Sequence, residues 1–225
     1  NLPLYRHHTA GKNSLSYDDV NRFAEDAKGN IWIGTNGGGL NYFNRATNTF
    51  TSYVHNPADK NSLSNNVIVS LFIDKKQQLW IGSYYGGLDC FDGKKFIHYR
   101  HNPADTNSLS DDRVWEIFED SRGRMWIGTL GNGLDFFDRE KNIFKHYKPY
   151  VPNSIRSNYV ADFMEDRQGN IWIATSDGLN IMDGQGNFSY YQHQPGKGES
   201  ISNNNVTAIV QDKRGWIWVG THDGL

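Results

Sequence analysis

One 12-residue phrase, Gly123-Arg124-Met125-Trp126-Ile127-Gly128-Thr129-Leu130-Gly131-Asn132-Gly133-Leu134, constrains this chain more than any other feature. It returns around Trp32, Trp80, Trp172 and Trp218, so successive tryptophans are separated by 48, 46, 46 and 46 residues. Self-similarity at such a period marks a repeat architecture and governs the reading of every single side chain. A serine marches in step: Ser14, Ser62, Ser108, Ser154 and Ser200 each precede the following tryptophan by 18 residues. That constant distance defines a rigid unit, with length variation confined outside it.

Within one copy, short apolar runs alternate with turn-forming clusters. In the third copy Asn107-Ser108-Leu109-Ser110-Asp111-Asp112 is a polar turn whose side chains can bond nearby backbone. Val114–Glu119 is predicted as strand A, Met125–Thr129 as strand B, Leu134–Phe137 as strand C and Phe144–Tyr147 as strand D. The turn Asp120-Ser121-Arg122-Gly123 joins A to B; its Asp recurs as Asp26, Asp74, Asp166 and Asp212, and its Gly is replaced only by Gln77. The strand-A pair Ile117-Phe118 recurs as Phe23-Ala24, Leu71-Phe72, Phe163-Met164 and Ile209-Val210. Strand neighbours point to opposite faces, so an apolar pair predicts a sheet buried on both faces. Four strands of about five residues make an antiparallel meander too small to stand alone in water. Stacking such sheets face to face around an axis solves the problem. The expected fold is therefore all-β, a β-propeller of four-stranded antiparallel blades with about 46 residues per repeat. A sandwich would leave one face of each sheet polar, and β-solenoid repeats of roughly 20–30 residues are too short for four strands.

Complete blades are expected over 13–54, 61–100, 107–148 and 153–192, with a partial blade over 200–225. Residues 1–6 are expected to carry the last strand of a preceding blade. Leu2–Tyr5 matches the Phe-x-x-Tyr pattern of Phe50–Tyr53, Phe96–Tyr99, Phe144–Tyr147 and Phe188–Tyr191. The segment reads as a fragment of a larger propeller; the other reading is a five-bladed ring closed by Leu2–Tyr5. In an up-and-down meander alternate connections share an end, so D-to-A and B-to-C loops are expected to crowd one rim. That rim carries Asn36, Tyr84-Tyr85, Asn132, Ser176-Asp177 and His222-Asp223 at equivalent points. Variable loops held by rigid strands are how a repeat scaffold builds a binding surface.

Composition agrees and narrows the function. Aromatics at 14% with 23 Gly suit aromatic strands joined by tight turns. A net charge of -2 with no basic stripe argues against nucleic acid. The single cysteine, Cys90, excludes an intrachain disulfide framework. No apolar run approaches the roughly 18 residues of a membrane span, so no membrane contact is expected of this segment.

The phrases Leu79-Trp80-Ile81-Gly82-Ser83-Tyr84-Tyr85-Gly86-Gly87-Leu88, Ser62-Leu63-Ser64, Ser108-Leu109-Ser110 and Glu119-Asp120 resemble the two-component regulator propeller repeat. That repeat occurs in the extracytoplasmic sensor half of hybrid histidine kinases, especially in glycan-degrading gut bacteria. The resemblance runs in phase through all five copies. Departures are Ala174 in place of Gly, a shorter B-to-C loop in the fourth and fifth copies (Ser176-Asp177-Gly178-Leu179 in the fourth), and Ile155-Arg156 in place of Leu-Ser. The resemblance implies a parent with further blades, an immunoglobulin-like domain, a membrane helix and cytoplasmic kinase modules. It implies a periplasmic location, an oligosaccharide ligand and a homodimer of the full-length sensor. A protein-interaction propeller without small-molecule binding is the alternative.

Residue chemistry points to recognition rather than catalysis. No copy offers a nucleophile with an oriented base or a Gly-rich phosphate loop, so no catalytic residue and no cofactor is assigned. His7, His55 and His101 occupy one repeat position on different blades, which argues against a metal site. The five turn Asp residues suggest calcium or, more simply, caps on their own hairpins. One strand-A position holds Arg22, Ser70, Glu116, Asp162 and Ala208. Its charged members, Arg22, Glu116 and Asp162, are candidates to bind hydroxyl-rich or charged ligand groups, or else solvate a channel or pair between blades. Trp115, Tyr84 and Tyr85 are candidate sugar-stacking rings, with core filling as the alternative; Arg113 offers a fork for a carboxylate or sulfate. His222 completes the candidate set on the rim.

Overall fold

The computed structural model describes residues 4–8 and 13–225 and contains 18 strands and, among those residues, no helix. The first repeat forms β1 (Val20–Glu25), β2 (Ile31–Thr35), β3 (Leu40–Asn44) and β4 (Thr49–Tyr53). The second forms β5 (Ile68–Ile73), β6 (Leu79–Ser83), β7 (Leu88–Phe91) and β8 (Phe96–Tyr99). The third forms β9 (Val114–Glu119), β10 (Met125–Thr129), β11 (Leu134–Asp138) and β12 (Ile143–Tyr147). The fourth forms β13 (Val160–Glu165), β14 (Ile171–Thr175), β15 (Gly178–Met182) and β16 (Phe188–Tyr191), and the fifth β17 (Val206–Gln211) and β18 (Ile217–Thr221). Each of the first four is a four-stranded sheet with its strands in chain order, and the fifth is a two-stranded sheet. The fold is all-β, built of propeller blades.

The A-to-B turn explains why each hairpin closes where it does. In the second repeat one oxygen of Asp74 accepts the amides of Lys76 and Gln78, both at 2.9 Å, and the other accepts the Trp80 indole at 3.0 Å. Asp120, Asp166 and Asp212 bond Trp126, Trp172 and Trp218 in the same way. In the first repeat the second Asp26 oxygen takes the Tyr42 hydroxyl and Asn30 side chain instead. The carboxylates are caps on their own hairpins. Gln77 holds the turn position that is Gly elsewhere at φ 62, a left-handed conformation costing a side-chain-bearing residue roughly 1–2 kcal/mol.

The chain comprises two compact units, Asn1–His101 with Asp112–Ile117, and Asn102–Asp111 with Phe118–Leu225. In the first, β1 and β2 pack on β5. A Cβ on Gly34 would lie 2.6 Å from Ile68, and one on Gly82 2.8 Å from Val114, so the strand-B glycine lets the next sheet press onto bare backbone. Trp32, Leu40, Ile68, Leu71, Ile81 and Phe91 share this core. In the second unit β10 packs on β13, where a Cβ on Gly128 would meet Val160 at 2.7 Å, and β13 and β14 pack on β17. There Ala174 replaces the glycine and is fully buried in a cluster with Val206 and Ile209.

Two expectations need correction. Phe23 and Val210, members of the strand-A apolar pairs, are 66% and 57% exposed. Leu71 and Phe163, at the position of Phe23, sit beside the strand-B glycines Gly34 and Gly128. Beyond its own sheet β1 packs on β5, and β17 on β13 and β14. Residues 1–3 of the expected first strand lie outside the described residues, and 4–6 carry no strand assignment. Tyr5 nevertheless packs on Phe43 and Phe50 with ring centroids at 5.0 and 5.4 Å, as Tyr53 packs on Phe91 and Phe96 at 5.3 and 5.8 Å.

Candidate functional site

The two loop sets share a rim through backbone hydrogen bonds. Gly39 donates to the Asn66 carbonyl at 2.9 Å and Gly87 to that of Asp112 at 2.8 Å. In the second unit Gly133 donates to Asn158 at 2.9 Å and Gly178 to Asn204 at 2.6 Å. In the first four repeats the B-to-C loop is thus tied to the D-to-A loop that opens the following repeat.

On this rim in the first unit lies a cleft of about 380 Å³ lined by Asn21, Arg22, Asn36, Val67, Val69, Tyr84 and Trp115. A shift in register lies between Val20 and Arg22 on β1 and between Ile68 and Ser70 on β5. Such a bulge re-aims the side chains beside it. It lets Asn21 and Arg22, chain neighbours, line one cleft. The Asn21 amide is fixed on the Ile68 carbonyl at 2.9 Å, and Asn36 on the Asp19 carboxylate at 2.9 Å. The Tyr84 backbone amide donates to the Val67 carbonyl at 3.1 Å. Arg22 reaches Glu116 at 3.5 Å, and the other Glu116 oxygen accepts the Ser70 hydroxyl at 3.1 Å. Three members of the repeated strand-A position therefore form one polar chain. The wall combines two aromatic rings, two amides and a guanidinium whose charge is balanced by a neighbour.

The other expected residues scatter. Tyr85 stands edge-on to Tyr84 at 4.6 Å and is exposed, outside the cleft lining. Arg113 is half-buried before β9 and does not line it. In the second unit Asp162 bonds the backbone amides of Phe163 and Ile209, both at 2.8 Å, a structural role between β13 and β17. His222 lies beside Asn205 and its amide donates to the Asn205 carbonyl at 3.1 Å. Among the described residues no group of three or more His, Cys, Asp or Glu is placed to hold a metal ion.

The structure also contains a cluster that sequence reasoning missed. Asp89 on β7 accepts the Ser64 amide at 2.8 Å and hydroxyl at 2.6 Å, and lies 2.7 Å from His98 Nδ1. Ser64 Oγ is also 2.8 Å from that nitrogen. Serine, histidine and aspartate in contact suggest a nucleophile, but the wiring is wrong for one. His98 Nε2 faces the Lys60 carbonyl at 2.9 Å, so both ring nitrogens face acceptors and the doubly protonated ring satisfies both. The bond to Asp89, opposed by burial, raises the His98 pKa accordingly. An imidazolium with both protons engaged cannot take one from serine. His146 repeats the arrangement with Asp135 at 2.7 Å and the Thr106 carbonyl at 2.9 Å, and its pKa is raised by the same cause. These are loop clamps. Their signal in the sequence was an Asp on strand C facing a His on strand D in the same two repeats.

Five segments, 14–37, 62–85, 108–131, 154–177 and 200–223, match the family described as two component regulator propeller, and together they make up more than half of the chain. Solved structures similar to it include extracellular domains from B. thetaiotaomicron. One, of BT3049, described as a hybrid two-component system, is 25% identical with a TM-score of 0.60 over 98% of this chain and 35% of that one. Another, of BT4673, is 25% identical with a TM-score of 0.74 over 97% of this chain and 28% of that one. The chain thus spans about a third of the length of these domains. Virginiamycin B lyase from Staphylococcus aureus, 15% identical with a TM-score of 0.64 over 92% of this chain and 68% of that one, shares the fold alone. No curated protein matches the chain.

Proposed function

The chain belongs to the two-component regulator propeller family, and on that premise we propose that it is a ligand-sensing part of a periplasmic sensor, binding an oligosaccharide without transforming it. The observation that carries this reading is the convergence of Trp115, Tyr84, Asn21, Asn36 and Arg22 on one cleft. An aromatic face suits the C–H face of a sugar ring, while amides and a guanidinium suit its hydroxyls. The volume is at the small end of the range for ligand pockets, enough for one or two sugar units. In the full-length sensor, binding would bias the geometry of a homodimer by the difference in its affinity for two states.

Calorimetric titration of the chain with a panel of neutral oligosaccharides tests the proposal. Saturable heat with one sugar, reduced about tenfold or more by Trp115→Ala and by Tyr84→Ala, is the expected result. The exposed Tyr85 favours a second reading, a rim that docks a protein partner. No heat with any sugar, together with a stable protein complex lost on Tyr85→Ala, would establish that reading instead. Product formation on prolonged incubation would replace both with an enzyme.

A further inference from the structure

Five copies of one loop provide an internal control. In four copies nine residues separate the strand-D tyrosine position from the loop serine: Tyr5 to Ser14, Tyr53 to Ser62, Tyr99 to Ser108 and Tyr191 to Ser200. In each, the serine hydroxyl accepts the amide six residues earlier, of His8, Asn56, Asn102 or Gln194, at 2.9–3.2 Å. A histidine adds a second staple: His7, His55 and His193 place Nδ1 2.7–2.8 Å from the carbonyls of Leu15, Leu63 and Ile201. The fourth copy departs. Tyr147 and Ser154 are only seven residues apart, and Pro149 stands where the histidine would.

The consequence is a set of unsatisfied groups around a cleft of about 390 Å³ in the second unit. Ser154 is 4% exposed, lines the cleft, and its hydroxyl has no hydrogen-bond partner. A buried hydroxyl left unpaired is destabilising, and a ligand that bonds it recovers that cost. Three facing positions change together: Arg156 replaces the serine of Ser64 and Ser110, Asn180 the Asp of Asp89 and Asp135, and Tyr190 the His of His98 and His146. The clamp is gone. In its place the Arg156 guanidinium lies 4.2 Å above the Tyr190 ring, and among the described residues its N–H groups bond nothing. Asp177 lines the same cleft with one oxygen held by Gln192 at 2.9 Å, and no ion pair joins it to Arg156. At the mouth Tyr150 is 97% exposed and held at φ 65, a conformation unfavourable for an aromatic residue.

We infer that this cleft binds a free α-amino acid. The Arg156 fork, pre-oriented by the Tyr190 ring, takes the carboxylate, with the Ser154 hydroxyl as a further donor; Asp177 takes the ammonium group. Two opposite charges on one small cleft, neither neutralised by the other, suit a ligand that carries both signs. A neutral sugar would desolvate both charges and neutralise neither. This assignment is independent of the reading of the Trp115 cleft.

The test is ligand-observed NMR or calorimetry on the 225-residue chain, with the free L-amino acids as probes and their N-acetyl and amide derivatives as controls. At least one free amino acid should bind saturably. Loss of either charge in the ligand, Arg156→Gln, or Asp177→Asn should each weaken binding about tenfold or more, and Ser154→Ala by less. Circular dichroism and melting of the variants establish that each is folded; Arg156 is exposed, and Arg156→Lys supplies a second variant expected to retain charge but lose the fork. Absence of saturable binding by any amino acid, equal binding of the blocked derivatives, or wild-type affinity in folded Arg156→Gln would each overturn the assignment. So would tighter binding of neutral oligosaccharides that depends on Arg156.

Discussion

Trp80 on β6 and Trp218 on β18 sit in the same phrase, cap the same kind of turn and donate to the same kind of Asp, at 3.0 and 3.3 Å. Trp80 is 3% exposed and Trp218 45%. The strand and its turn are therefore local properties of the repeat, whereas burial is conferred by the sheets on either side. Energetics should follow burial rather than sequence identity.

The largest expected effect separates the two tryptophans. Trp80→Ala removes a fully packed ring and should cost about 3–5 kcal/mol, while Trp218→Ala should cost about 1 kcal/mol or less. Equilibrium denaturation of both variants measures the gap; equal costs would break the comparison. Next come the strand-B glycines. A methyl on Gly82 would meet Val114 at 2.8 Å, whereas one on Gly220 has its nearest neighbour at 3.6 Å. Gly82→Ala should lose about 1–3 kcal/mol by overpacking, and Gly220→Ala should be neutral or gain a few tenths by stiffening the unfolded chain.

Smaller and pH-dependent effects sharpen the same contrast. His98 and His146 have folded pKa values raised above the ordinary 6.5, through their bonds to Asp89 and Asp135 and against both burial and the nearby Arg100 and Lys148. Their stabilisation is fully present below about pH 6.5 and is lost as pH rises through the folded values. Hydrogen exchange at the Ser64 and Ser110 amides, corrected for intrinsic rate, should therefore speed up between pH 6 and pH 9. Amides of β18, which carries no such clamp, should not respond over that range. In acid the β17–β18 turn responds in its own right. Desolvation works to raise the Asp212 pKa, but the bonds from the Trp216 amide and the Trp218 indole outweigh it and the value lies below the ordinary 3.8. That contribution is present above about pH 4 and lost as pH falls through the folded value, so Trp218 fluorescence should change there.

Much of this architecture was legible because it is written in distances along the chain. The 46-residue step located the sheets, the apolar runs located strands A to D within a residue, and Asp-x-x-Gly located the hairpin caps. Parity placed the D-to-A and B-to-C loops on one rim. What escaped depends on geometry across repeats. Nothing local marks the bulge that turns Asn21 and Arg22 toward one cleft, and the Arg22–Glu116 pair joins residues 94 positions apart. Asp162 looked like its charged counterparts but is consumed by backbone amides of β13 and β17. Ile155-Arg156 is visible in the sequence only as a departure from Leu-Ser, because its meaning lies in Asn180 and Tyr190, which change with it. Phe23 and Val210 kept the core pattern without the neighbours that would bury them.

The hairpin caps carry one further implication. Each turn Asp accepts backbone amides from the residues two and four positions ahead, and each of the first four sheets is finished within one uninterrupted stretch of chain. Little loop-closure entropy has to be overcome before a sheet begins to form, so contacts accumulate at short sequence separation. A nascent chain leaving the ribosome can therefore set one hairpin while the next is still being translated. Synthesis and folding can advance together, one blade at a time.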